Sequence, residues 1–229
     1  MSIILNIDTA TEIAHVSFAK DGMIVEVMFS SSQKEHASFV QTAIQQLEKT
    51  TGIKLSQIDA VAITAGPGSY TGLRVGMASA KGLCYALQKP LIAINTLQMM
   101  AKAAIFQLKN VAKDLLLCPM MDARRMEVFT AIYKQDLQMV LKPCAIILNE
   151  SSFNKEMHTN EVLFFGNGAL KWEKICEHTN AHFRQIENDP TALSQLSNSH
   201  FVKKHFANLA YSEPFYLKDF QSINTNKKY

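Results

Sequence analysis

No run of apolar residues in this chain approaches the roughly 20 that a membrane-spanning helix requires. Met1-Ser2 leads directly into Ile3-Ile4-Leu5, with no basic segment and no cleavage site, so no targeting leader is read there. Together these absences predict a soluble, cytoplasmic protein with no membrane partner. Cysteine is sparse. Cys84, Cys118, Cys144 and Cys176 lie far apart and never form Cys-x-x-Cys, a pattern of reduced core thiols rather than of disulfides or zinc. An excess of one charge is missing too, since 23 Lys and Arg face 20 Asp and Glu. The basic residues are scattered, with short pairs at Lys203-Lys204 and Lys227-Lys228 and no aromatic-interleaved stripe. The chain alone is therefore not expected to grip nucleic acid strongly. Ser69 lacks the second flanking glycine of a Gly-x-Ser-x-Gly elbow, and nothing marks a Cys–His pair.

What is present is ample for a core: 229 residues, 48% of them hydrophobic, enough for one large domain or two small ones. The most distinctive stretch runs from Ile58 to Gln88. A β-branched run stops at Gly66-Pro67-Gly68, and a helix-period segment begins behind Ser69, a residue able to cap it. That helix keeps Gly72, Gly76 and Gly82 in its body, each costing about 0.8–1.0 kcal/mol relative to alanine. Gly66-x-Gly68 is followed by Gly72 one residue too late for Gly-x-Gly-x-x-Gly, and no Walker Lys-Ser/Thr follows. A glycine turn before a helix still points several N–H groups at whatever sits there; the plainer reading is that the glycines serve the turn and close packing, within the chain or against another backbone.

In chain order, Ile3–Ile7, a run around Ile13–Phe18 and Met23–Phe29 read as a β-meander, with Asp8 at the tip of the first strand. A helix from His36 follows, carrying Val40, Ala43, Ile44 and Leu47 on one face. The Ile58–Ala65 strand, the glycine helix, the strand Leu91–Ile94 and the helix Leu97–Leu108 complete a first lobe. A second lobe repeats the plan. Leu115–Met121 reaches Asp122, Val128–Tyr133 is its hairpin partner, and short strands follow at Gln138–Leu141 and Ala145–Leu148. Val162–Phe165 then ends in Gly166-Asn167-Gly168, before a helix Ala169–Cys176, a short strand Phe183–Ile186 and a helix from Pro190 to about Ala207. Residues 1–109 and 110–190 are the two lobes, the first completed by 191–223, and the polar end Asn224–Tyr229 is expected to be loose. The fold expected is α/β, two RNase-H-like lobes of the actin, sugar-kinase and chaperone ATPase superfamily. Its nucleotide places would be Asp8, Thr9 and Thr11 in the first turn, Asp122 in the second, and Gly166 and Gly168; Ala10 stands where a phosphate turn prefers glycine.

LNIDTAT (5–11), AITAGPGSYTGLRVGMASAKGL (62–83) and MDARRMEVFTAIY (121–133) resemble the bacterial TsaB family, also called YeaZ. The resemblance implies a partner of the catalytic TsaD proteins. With TsaD, TsaE and a threonylcarbamoyl-adenylate synthase, such a partner helps to install threonylcarbamoyl on the tRNA adenosine beside the anticodon. The catalytic relative carries a metal-binding His-x-x-x-His after the strand that follows the glycine helix. Thr96 and Met100 occupy those places here, and a hydroxyl and a thioether cannot replace two imidazoles on a hard metal. No catalytic or metal-ligating residue is therefore expected. His178 and His182 have i,i+4 spacing but straddle a loop-like Thr179-Asn180-Ala181. The resemblance implies docking on TsaD, or on a second copy of the chain, through Val40, Ala43, Ile44 and Leu47 of one helix and Gly72, Leu73, Gly76, Met77, Ala80 and Leu83 of the other. A bulky residue at Gly76 or Ala80 is then expected to abolish association and spare the fold. The bland alternative is that both faces cover their own sheet. tRNA is reached only through the complex, and no cofactor is certain beyond room for ATP or ADP at the complex interface. Two further readings stay open: a stand-alone ATP-binding phosphotransferase or ATPase, and a structural module.

Overall fold

The opening meander forms because apolar residues alternate along three short runs and a turn sits between the last two. In the computed structural model, which describes residues 1–30, 36–108, 112 and 114–218, and of residues 36 and 37 the backbone alone, these runs are β1 (Ile3–Asp8), β2 (Ala14–Lys20) and β3 (Met23–Ser30). The Lys227-Lys228 pair, the polar end and the 109–110 junction lie outside the described residues. Asp21 and Gly22, at φ 50° and 81°, make the turn that matches strand twist in a tight hairpin. α1 (His36–Thr51), β4 (Ala60–Gly66), α2 (Tyr70–Leu87), β5 (Leu91–Asn95) and α3 (Thr96–Gln107) follow. The sheet runs β3-β2-β1-β4-β5, with β4 parallel to β1 and β5 parallel to β4.

The second lobe has β6 (Leu116–Asp122), β7 (Glu127–Tyr133), β8 (Met139–Ile147), α4 (Asn154–Met157), β9 (Val162–Phe165), α5 (Ala169–Glu173) and β10 (Ala181–Phe183). Its order, β8-β7-β6-β9-β10, repeats the first sheet strand for strand, including the antiparallel meander and the two parallel additions. This is a duplicated RNase-H-like α/β fold. Two short strands were expected where β8 is one. Pro143 reads as a break in sequence, yet β8 is an edge strand and can hold a residue without an N–H. The last strand falls at Ala181–Phe183 rather than Phe183–Ile186, α5 stops at Glu173, and α6 (Pro190–Val202) stops before Ala207. No helix of the described residues is long and apolar enough to cross a membrane.

Each face of the first sheet has its own cover. α1 and α2 cover one, burying Val40, Ile44, Leu47, Met77 and Ala80 against Leu5, Ile7, Val16 and Ile63. α6 returns from the second lobe to cover the other with α3, placing Ala192, Leu193 and Leu196 on Ile4, Ala62, Ile92 and Ile94. α3 also joins the lobes, through Leu97, Met100 and Ala104 on Leu117, Met121 and Tyr133. The residues expected to dock lie inside the chain. Val40, Ala43, Ile44 and Leu47, with Gly72, Leu73, Gly76, Met77 and Ala80, are buried in this chain alone, and Leu83 packs on the same core. Their apolar faces are used by their own sheet.

Candidate functional site

A cleft of roughly 620 Å³ separates the lobes, faced by Thr11, Ser69 and Tyr70 on one side and Asp122, Arg124 and Gly166 on the other. Of the expected nucleotide residues it gathers Thr11, Asp122 and Gly166. Asp8, Thr9 and Gly168 are buried behind it.

The first acidic turn faces inward. Asp8 is fully buried, and its Oδ1 accepts from the Thr64 hydroxyl (2.5 Å) and the Ala10 N–H (2.9 Å). Oδ2 lies 3.4 Å from His15 Nε2, an ion-pair distance without hydrogen-bond alignment. Burial pushes the Asp8 carboxyl up, but His15, Thr64 and Ala10 together outweigh it and hold the group below its usual value. His15 was not anticipated, although hairpin pairing sets it directly opposite Asp8. Thr9 donates to the Gly72 carbonyl (2.7 Å), and Thr11 donates to the Ile13 carbonyl.

The glycine turn is filled by the same loop. Ser69 caps α2 by accepting from Gly72 N–H, while Ser69 N–H donates to the Ala10 carbonyl (2.7 Å). A Cβ on Gly68 would lie 2.9 Å from the Ala10 side chain, and one on Gly72 would collide with the Thr9 carbonyl. One on Gly76 would meet Thr9 Oγ1 and, at 2.8 Å, Ile63 Cδ1. Gly68 and Gly72 thus admit the backbone of the chain's own β1–β2 loop, and Gly76 admits the side chains of Thr9 from that loop and of Ile63 from β4.

The second acidic turn is held by a lysine that sequence reading did not single out. Lys171 Nζ, on α5, donates to Asp122 Oδ1 (3.0 Å) and to the carbonyls of Arg125 (2.8 Å) and Glu127 (2.7 Å). Partial burial raises the Asp122 carboxyl, and Lys171 with the Arg124 N–H more than reverses it. An ammonium thus engages one oxygen of this carboxylate. Gly166, at φ 95°, comes so close to β6 that a Cβ would strike the Met120 carbonyl and lie 2.7 Å from Met100 Cε. A Cβ on Gly168 would lie 2.9 Å from both Met121 and Val128.

The remaining positions are apolar or idle. Thr96 is buried with a hydroxyl that finds no partner among the described residues, and Met100 packs between the lobes. His182 lies on β10 near Glu161 (3.8 Å), while His178 accepts from Asn180 N–H in the preceding turn, so the two share no helix face.

A family model described as TsaD, tRNA N6-adenosine threonylcarbamoyltransferase, matches residues 27–219. The Escherichia coli protein named tRNA threonylcarbamoyladenosine biosynthesis protein TsaB is 32% identical over 228 residues, covering 94% of each chain. The chain belongs to the TsaB family. YeaZ from Pseudomonas aeruginosa superposes with a TM-score of 0.76 at 24% identity, over 95% of this chain and 100% of that one. An inorganic polyphosphate/ATP-glucomannokinase from Arthrobacter sp. strain KM shares the fold alone, at TM-score 0.50 and 10% identity over 89% and 100%.

Proposed function

We propose that this chain is the non-catalytic subunit of the assembly that transfers threonylcarbamoyl from its adenylate to the tRNA adenosine beside the anticodon, and that it docks on and supports the catalytic subunit TsaD. The observation that carries the reading is Gly82. Unlike Gly72 and Gly76 it is exposed, and a Cβ there would meet nothing within 4 Å. An interior glycine costs a helix about 0.8–1.0 kcal/mol, and among the described residues no contact requires this one. It lies among Ala78, Ala86 and the 81% exposed Tyr85 on the outward side of α2, a surface on which another helix can approach closely. The docking face is thus the outward side of α2 rather than its buried one. A second copy of the chain takes that face in isolation. TsaE is a further partner, tRNA is met through the assembly, and ATP or ADP belongs at the complex interface.

A stand-alone phosphotransferase would need both acidic turns open to phosphate and cation. Asp8 is paired inside the protein and Lys171 already holds Asp122, so the docking role is favoured. The test is Gly82→Trp, whose ring projects into open space. Helicity and melting should match wild type while co-elution with TsaD is lost, and tRNA modification by the chain with TsaD, TsaE and the adenylate should fall with it. Undisturbed co-elution of the variant, or robust modification by the chain alone, would refute the reading.

A further inference from the structure

The β6–β7 turn is built against backbone preference. Arg124 and Arg125 both occupy the left-handed region, at φ 69° and 48°, where hairpin turns favour glycine, asparagine or aspartate. Residues held in such conformations persist when their surroundings over-determine them, and they concentrate at functional sites. Here the surroundings are explicit. Asp122 Oδ1 accepts from Arg124 N–H (2.5 Å), and Glu127 N–H donates to the Arg124 carbonyl (3.1 Å). The Lys171 ammonium, only 17% exposed, ties together Asp122 and the carbonyls of Arg125 and Glu127.

The charges around the turn are unevenly matched. Lys171 neutralises Asp122, and Lys218 lies 2.7 Å from Glu127. Both arginine side chains are exposed, and among the described residues neither guanidinium has a hydrogen-bond or ion-pair partner. Arg124 faces the mouth of the interlobe cleft, where Glu12 is the acid on the opposite wall. The tip thus offers two adjacent, uncompensated forks on a rigid base. Met126, at 36% exposure, is its one large apolar residue, so the tip lacks the cluster of aromatic and aliphatic anchors that accompanies arginine at protein interfaces. Guanidinium forks match phosphate oxygens in pairs.

We propose that the Arg124–Arg125 turn is an RNA-backbone contact, in which the two guanidinium groups engage neighbouring phosphates of the tRNA held by the assembly. The inference rests on the reading of this chain as a subunit of a tRNA-modifying assembly. It adds that the subunit touches the substrate itself.

The test replaces the pair by residues that suit the backbone, Arg124→Asn with Arg125→Gly. Full-length variant and wild type are each combined with TsaD, and binding of an unmodified tRNA transcript is measured across a potassium chloride series. The melting temperature of the variant should equal or exceed that of wild type, and co-elution with TsaD should persist. Affinity should fall on the order of tenfold, and the slope of log affinity against log salt should become shallower by about 1.4–1.8, for two phosphates at about 0.7–0.9 each. The double Arg→Lys variant should keep the slope. An unchanged affinity and slope would overturn the proposal. Loss of TsaD co-elution by the Asn–Gly variant would also overturn it, by making the turn a protein contact. If wild type itself fails to join TsaD, the assembly reading fails separately. The same tRNA titration of the full chain alone then decides the turn, an arginine-dependent salt slope supporting it and none refuting it.

Discussion

A carboxylate at the tip of a strand can face solvent and a cation, or it can collect hydrogen bonds inside. Asp8 does the second: its Oδ1 accepts from Thr64 and Ala10, while Oδ2 lies 3.4 Å from His15 Nε2. Removing the carboxylate leaves the buried Thr64 hydroxyl and Ala10 N–H without their acceptor, at a cost of about 1–3 kcal/mol. Asp8→Ala should therefore lower unfolding stability by that amount in urea titration. A residue kept for a bound nucleotide would cost little in the free protein, so an unchanged midpoint would refute the structural role. The sign of the pH effect follows from the lowered carboxyl. Its stabilisation is complete above the unfolded-state value and is lost as pH falls through the folded one, below about 4. Wild type should lose stability on acidification through this range, and Asp8→Ala should lose less. Asp8 stands out in the sequence as a strand-tip acid, but its destination does not. Only pairing β1 with β2 residue by residue brings His15 opposite it, and nothing local links Lys171 to Asp122, 49 positions apart.

On the scale of elements, α2 shows what periodicity can and cannot decide. Gly72, Gly76 and Ala80 recur every fourth residue and share a face, so their common burial is legible from spacing. Whether that face meets its own sheet or another protein is not, because both partners demand the same small side chains. The deciding contact is Thr9, some sixty positions away, whose hydroxyl bonds to Gly72. Gly82 carries the missing signal, since it lies roughly 240° around the helix from Gly76 and cannot serve the same neighbour. This reverses the expectation for Gly76. Gly72→Ala and Gly76→Ala should each destabilise the free chain by about 1–3 kcal/mol, through overpacking against the β1–β2 loop and β4. Loss of TsaD binding by these variants should track their loss of fold. A folded, fully stable Gly76→Ala protein that failed only in association would restore the buried face as the docking surface. Pro143 misleads in a similar way. It looks like a strand break until β8 is known to be an edge.

For the molecule as a whole, the repeated meanders make the duplication readable, while the chain's return to its first lobe is long-range and poorly signalled. α6 lays Leu193 and Leu196 on the first sheet, Ser197 donates to Asn6 Oδ1 (2.6 Å), and Ser194 to the Gly22 carbonyl (2.8 Å). Beyond it the chain runs along α2. Lys81 donates to the carbonyls of Ala210 and Ser212, Phe215 N–H donates to the Ala65 carbonyl, and Arg74 donates to the Tyr216 hydroxyl. Lys218 then reaches Glu127 on the second lobe. The helix and the strap therefore differ in what they hold. Ending the chain after Tyr211 removes a few partly exposed hydrogen bonds, each of modest net worth. That truncation should keep a single cooperative transition and lower its midpoint by about 3–6 °C for a chain of this size. Ending it after Asp189 instead bares Ile4, Ala62, Ile92 and Ile94 on one sheet face and takes away the bonded partner of Asn6. A sheet with one naked apolar face has no way to exclude water from it. The shorter protein should lose its cooperative transition and bind a hydrophobic dye. If it melted as sharply as the first truncation, α6 would be an accessory to the first lobe rather than half of its cover.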